Sequence, residues 1–366
     1  MPDKIDLKAL WQRGVDAVRG DAAVTRALEE SPLQAPDRII AVGKAAAAMA
    51  RPVCARWPGV PCLIVTKYGH AADAPPQAQV IEAAHPVPDA ASLRAGQALI
   101  NAVTACGPQD HLLMLVSGGA SSLAEAPAGD LTLEGLQAQT QEMLGTGADI
   151  ATMNAHRRSV SRIKGGKLLA NFPGARVTTL ALSDVKGDAL SVIGSGIGDA
   201  PDGRRFEFAA QIIASNAIAR DAVAAASPVR VNDNAETLYD DVRALAPRIA
   251  SALCASASGL TILGGEPVVH LPPSPGLGGR NMALALELAR EIAGRSDIRI
   301  LVAGTDGTDG PTDAAGALID GSTWDSGGQA ALDGADAYPW LKERGALLVT
   351  GPTGTNVMDL LIAHKG

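Results

Sequence analysis

The sequence predicts an α/β protein built from two domains, and three observations carry that expectation. The 366 residues exceed what one hydrophobic core ordinarily organises. Short apolar runs recur along the chain, most separated by stretches long enough for a helix, which is the pattern of strands joined by crossover helices. Forty glycines beside only 3% aromatic residues suit many tight strand-to-helix turns.

Composition narrows the function classes. A chain that is 47% hydrophobic and 19% charged is globular, and a formal charge of −8 argues against nucleic acid or anionic lipid as the main partner. Cys54, Cys62, Cys106 and Cys254 show no C-x-x-C spacing, so reduced thiols are expected rather than a zinc site or a disulfide framework. Met1-Pro2-Asp3-Lys4 opens a charged stretch without a signal core, and no run of about 18 apolar residues follows. A cytoplasmic protein with no membrane partner is the expectation.

Taken in order, Leu7, Leu10, Val15, Val18 and Leu28 approximate one apolar helical face over residues 5–29. Residues 38–44 form an apolar run ending in Gly43-Lys44, and the alanine-rich 45–50 continues as a helix. Further strand-like runs occupy 62–66, 79–82, 111–117, 177–183, 260–263, 298–303 and 346–350. Residues 134–170 read as helix interrupted at Gly145-Thr146-Gly147 and Gly165-Gly166. Asp199-Ala200-Pro201-Asp202-Gly203 and Asn232-Asp233-Asn234 break the pattern, and the division expected is an N-terminal domain of 1–235 and a C-terminal domain of 236–366.

Parallel sheets bind ligands beyond the carboxyl ends of their strands, so the loops after the apolar runs hold the candidate chemistry. Ser117-Gly118-Gly119 offers backbone N–H groups to a phosphate or carboxylate, or is simply a tight turn. Lys44 projects from a strand end as a point charge for phosphates, or is a solvated lysine at a helix start. Asp184 ends the 177–183 run and suits a general base or a magnesium ligand; as plain structure it is an N-cap. Gly304-Thr305-Asp306-Gly307-Thr308-Asp309-Gly310-Pro311-Thr312-Asp313 is an acidic loop that lacks the EF-hand spacing and fits hydroxyls or a magnesium nucleotide better. Gly276 through Asn281 precede a helix, so Arg280 with that helix start makes an anion site with a bidentate fork. Thr353-Gly354-Thr355-Asn356 adds uncharged hydroxyls and backbone donors, and His85 reads as a turn residue or a substrate contact. The chain has no Walker A loop, no G-x-S-x-G elbow and no paired histidines for a catalytic metal.

Together Val42-Gly43-Lys44-Ala45-Ala46, Val65-Thr66-Lys67-Tyr68-Gly69-His70, His85-Pro86-Val87-Pro88-Asp89, Ser117-Gly118-Gly119, Gly147-Ala148-Asp149-Ile150, Ile163-Lys164-Gly165-Gly166, Ser183-Asp184-Val185, Gly278-Gly279-Arg280-Asn281, residues 304–316 and residues 351–357 resemble the MOFRL-type glycerate 2-kinases, in family order over nearly the whole chain. The resemblance implies an N-terminal Rossmann-like parallel-sheet domain, a C-terminal MOFRL domain and an active-site cleft between them. It implies phosphorylation of D-glycerate to 2-phospho-D-glycerate with ATP and Mg2+, by a monomer or homodimer. Lys44 and Asp184 are the implied catalytic pair, with Asp184 and Asp306 as candidate metal ligands. Arg280, Ser117, Gly118, Gly119 and Asn281 are the implied substrate set. Asp306, Asp309, Thr312, Asp313, Thr353, Gly354, Thr355 and Asn356 are the implied nucleotide set.

The chain departs from the family at three places. Ile197-Gly198 stand where a Pro-Thr pair is usual, Met282-Ala283 replace Gln-Glu after Asn281, and Met358 replaces an Asn. The rival readings are a hydroxypyruvate or tartronate semialdehyde reductase, for which the G-x-G-x-x-G fingerprint is missing, and a non-catalytic sugar-acid sensor.

Overall fold

A computed structural model describes residues 5–145 and 150–366. The expected interruption at Thr146-Gly147 and the family-like Gly147-Ala148-Asp149 lie outside the described residues, as do Met1 to Lys4. The chain forms two compact units, neither continuous in sequence. One comprises Arg19–Ser215 with Gly354–Asn356; the other comprises Met1–Val18, Asn216–Thr353 and Val357–Gly366.

The first unit is built on strands β1 (Arg38–Val42), β2 (Cys62–Lys67), β3 (Gln79–Ala83), β4 (His111–Val116), β5 (Arg176–Leu182) and β6 (Glu207–Ala214). Their order is β3-β2-β1-β4-β5-β6, and every neighbouring pair is parallel. The central strands read as unbroken apolar runs because both faces are covered. Ile40, Val42, Leu112, Met114 and Val116 face a core shared with Ala91, Ala95, Leu99 and Val103 of the helix Ala90–Thr104. The alternate residues Ile39, Ala41, Leu113 and Leu115 are equally buried, and the helix Ala46–Arg56 packs on β1, β2 and β4. Each such Ile or Leu contributes roughly 1.5–3 kcal/mol on burial. The order reverses between β1 and β4, which makes the space beyond their carboxyl ends the switch point where doubly wound sheets take ligands.

The second unit carries β7 (Val231–Leu238), β8 (Gly259–Gly265), β9 (Ile298–Gly304), β10 (Ala314–Asp320), β11 (Leu347–Val349) and β12 (Asp359–Lys365) in the order β11-β10-β9-β12-β8-β7. Here the expectation of parallel strands fails. Only β7 and β8 run parallel; the other four pairings are antiparallel. The reason is local: residues 305–313 join β9 to β10 and are too few for a crossover helix. The helices Val242–Ala255, Arg280–Glu291 and Ala337–Glu343 share one core with this sheet, while Leu7–Val18 and Asn216–Ala225 pack on each other and on its strands.

The single helix expected over 5–29 is two, Leu7–Val18 and Gly20–Glu30, separated at Arg19 by an extended ψ of 140° and assigned to different units. Asn232-Asp233-Asn234, read as a break, lies inside β7.

Candidate active site

In the parallel-sheet unit the loops after β1 and β4 are stitched together. Gly43 leaves β1 at φ 130°, where a Cβ would sit 2.2 Å from Ser117 Oγ, so the close approach requires glycine. Lys44 N–H then donates to Gly118 O at 2.9 Å, and Ala45 N–H donates to Ser117 Oγ at 3.1 Å. A Cβ on Gly118 would fall 2.0 Å from Asp184 Oδ2 and 3.0 Å from Asn356 Nδ2. The missing side chain is thus the space that Asp184 occupies. The corresponding position on Gly119 lies 3.0 Å from Lys44 Cγ and 3.4 Å from His85 Nε2. Five sequence-distant segments, carrying Lys44, His85, Gly118 with Gly119, Asp184 and Asn356, therefore meet around two glycines at the switch point.

The electrostatics of this cluster are cationic. His85 is pushed down to about 3, first by burial and then by Lys44, Lys67, Arg157 and His70, so its imidazole stays neutral among three permanent cations. Arg157 went unnoticed in the sequence because an arginine on a helix ordinarily marks a solvated face.

A buried layer supports the loop. Ser121 Oγ and Ser195 Oγ are 2.9 Å apart, and Ser195 Oγ donates to Asn154 Oδ1 at 2.8 Å. Lys164, fully buried, donates to Glu125 Oε2 at 2.7 Å and to Ala124 O at 3.0 Å; Glu125 also accepts from Ser161. Breaking such a pair strands a buried charge, whereas intact it fixes geometry.

The mixed-sheet unit treats its anion site differently. Asn281 and Met282 N–H groups open the helix Arg280–Glu291, as expected of an anion site, but Asp309 fills it, accepting at 3.1 and 2.8 Å. Burial raises Asp309 to about 7 in spite of these bonds. Arg280 Nε donates to Asp359 Oδ2 at 2.6 Å and Nη1 lies 2.7 Å from Glu266 Oε1, so its fork is engaged by two carboxylates of its own unit. Asn281 Nδ2 donates to Asp359 Oδ1 at 2.9 Å.

The residues expected to hold a nucleotide are divided between the units. Asp306 Oδ1 accepts from Thr308 N and Oγ1, Thr312 Oγ1 donates to Asp309 O, Asp313 accepts from Tyr338 and Thr353 Oγ1 donates to Thr305 O, all within the mixed-sheet unit. Gly354, Thr355 and Asn356 belong to the parallel-sheet unit. Among the described residues there is no group of three or more His, Cys, Asp or Glu that would hold a metal alone. Among the described residues, no helix is long and apolar enough to cross a membrane.

Comparison with known proteins assigns both parts of the chain. Residues 6–229 match the profile described as Domain of unknown function (DUF4147), and residues 259–359 match the MOFRL family. A D-glycerate 2-kinase of Thermotoga maritima is 35% identical over 96% of this chain and 95% of its own length. A putative hydroxypyruvate reductase of Agrobacterium vitis is also 35% identical, over 97% and 92%. The crystal structure of a glycerate kinase from Thermotoga maritima superposes with a TM-score of 0.86, 33% identity and 98% coverage of both chains.

Proposed function

We propose, from the premise that this chain belongs to the MOFRL-containing glycerate kinase family, that it is a glycerate 2-kinase, transferring the γ-phosphoryl group of ATP to the C2 hydroxyl of D-glycerate. The observation that carries this reading is the meeting of Lys44, Gly118, Gly119 and Asp184 at the switch point. Phosphoryl transfer asks a protein mainly to position two reactants and to balance charge on the group in flight. Lys44, beside Gly119, stabilises that charge as a point cation. Asp184, against Gly118, takes the proton of the acceptor hydroxyl or holds the magnesium that accompanies the nucleotide. ATP with Mg2+ supplies the phosphoryl group and neutralises its oxygens when bound. Asn356 lies beside the same glycine and is the nucleotide-set residue best placed to join them. Arg280, Asn281 and Asp309 enter this proposal as the parts that fix one another in the mixed-sheet unit.

The test is product identification. Incubated with ATP, Mg2+ and D-glycerate, the protein should yield a phosphate ester whose phosphorus couples to one proton, as on C2; coupling to two protons would place it on C3 and overturn the regiochemistry. Oxidation of NADH with hydroxypyruvate, without phosphoryl transfer, would favour the reductase reading.

A further inference from the structure

We propose that Arg157 is the acceptor's carboxylate anchor, the residue that makes this site select a 2-hydroxy acid over a neutral polyol. The inference rests on the reading of glycerate as acceptor and adds a residue to it.

Arg157 lies on the helix Ile150–Val160, three residues after Asn154, hence on the same helical face. That face is docked: buried Asn154 accepts from Ser195, and Ser195 meets Ser121 of the loop that follows β4. The docking brings the guanidinium within electrostatic reach of His85, whose ring flanks Gly119 and Lys44. Arg157 is half-buried, and among the described residues it forms no ion pair or hydrogen bond. The opposing charge that acts on it is Glu125, whose carboxylate is already bonded by Lys164 and Ser161. A desolvated guanidinium without a counter-anion is costly, so the arrangement is completed by an anionic ligand.

The chemistry of the three cations separates their roles. Lys44 and Lys67 are point charges suited to phosphate oxygens, whereas the planar fork of an arginine matches a carboxylate with two parallel hydrogen bonds. The other obvious fork, Arg280, already holds Asp359 and Glu266. Glycerate carries one carboxylate beside the reacting hydroxyl, and Arg157 is the guanidinium that this site leaves available to it.

The experiment compares wild type, Arg157→Gln and Arg157→Lys, with D-glycerate and with glycerol as a neutral acceptor, measuring KM for each substrate and for ATP. Circular dichroism checks that the variants fold. Arg157→Gln should raise the glycerate KM by roughly 10- to 200-fold, the range for losing hydrogen bonds to a charged group. KM for ATP should change by less than about threefold, a shift below 1 kcal/mol, and any turnover of glycerol should be insensitive to the substitution to the same degree. Arg157→Lys, which keeps the charge without the fork, should fall between. An unchanged glycerate KM, or an equal rise in KM for ATP, overturns the assignment of Arg157 while leaving the kinase intact. Absence of glycerate turnover in the wild type would instead overturn the acceptor reading, and the carboxylate assignment with it.

Discussion

Both units place a guanidinium among strand-end loops, yet they treat it in opposite ways. Arg280 is answered by Asp359 and Glu266, and the helix start beside it is answered by Asp309, so the chain supplies its own anions. Arg157, which stands with Lys44 and Lys67 around a neutral His85, forms no such ion pair among the described residues. One guanidinium is held by carboxylates of its own unit, and the other is open to a ligand anion in the reading proposed above. Glycine and arginine near a helix start therefore do not distinguish a ligand site from an internal cap; what fills the site does.

The sharpest way to break this contrast is at Asp184. Asp184→Asn keeps shape and hydrogen-bonding reach but not the ability to accept a proton, so kcat should fall by about 10²–10⁴-fold with little change in binding. Recovery of activity at high Mg2+ would move the role from base to metal ligand. Near wild-type kcat at low Mg2+ would remove both roles.

Arg280→Ala should act on stability first. It leaves Asp359, whose side chain is 2% exposed, without its main partner. The cost should be about 2–3 kcal/mol, reduced from the value for fully buried pairs because Arg280 remains 36% exposed. Denaturant unfolding measures it. A folded variant of unchanged stability with lost turnover would make the mixed-sheet cluster a receptor after all.

The smallest effect is the slope of stability with pH. His85 is held near 3 in the folded state against 6.5 ordinarily, so the unfolded chain binds the extra proton and stability is lost as pH falls from about 6.5 toward 3. Asp309 is held near 7 against 3.8, so the folded chain binds the proton and stability is lost as pH rises from about 4 to 7. Asp309→Asn removes the second slope; its melting temperature relative to wild type should climb by a few degrees between pH 4.5 and 7. A difference that is flat in pH would mean that Asp309 stays ionised as a helix cap.

Much of this was legible in the sequence. Strands β1, β2 and β4 announce themselves because burial on both faces leaves no polar residue in their middles, and β5 still reads as a strand because its central Thr178 and Thr179 are β-branched. β6 and β7 do not, since Glu207 to Gln211 and Asn232 to Glu236 line sheet edges and read as loop. Lys44 and Asp184 were placed by the strand-end rule and the family pattern, and the structure sets both against the same glycine pair. Arg280, read as an anion fork, is engaged by Asp359 and Glu266 and the helix start beside it by Asp309, because sequence shows that an anion belongs at a helix start, not whose anion it is. His85 and Arg157 gain their meaning only from neighbours distant along the chain.

The seams at 18/19, 215/216, 353/354 and 356/357 also bear on how the molecule is made. The helix Leu7–Val18 leaves the ribosome long before β12, a strand of the sheet it covers. At about 5–20 residues per second, Leu7, Trp11 and Val15 wait unburied for tens of seconds. The nascent chain thus offers an apolar helix to chaperones until Asn216–Ala225 is made, and the sheet that this helix also covers is completed only with β12.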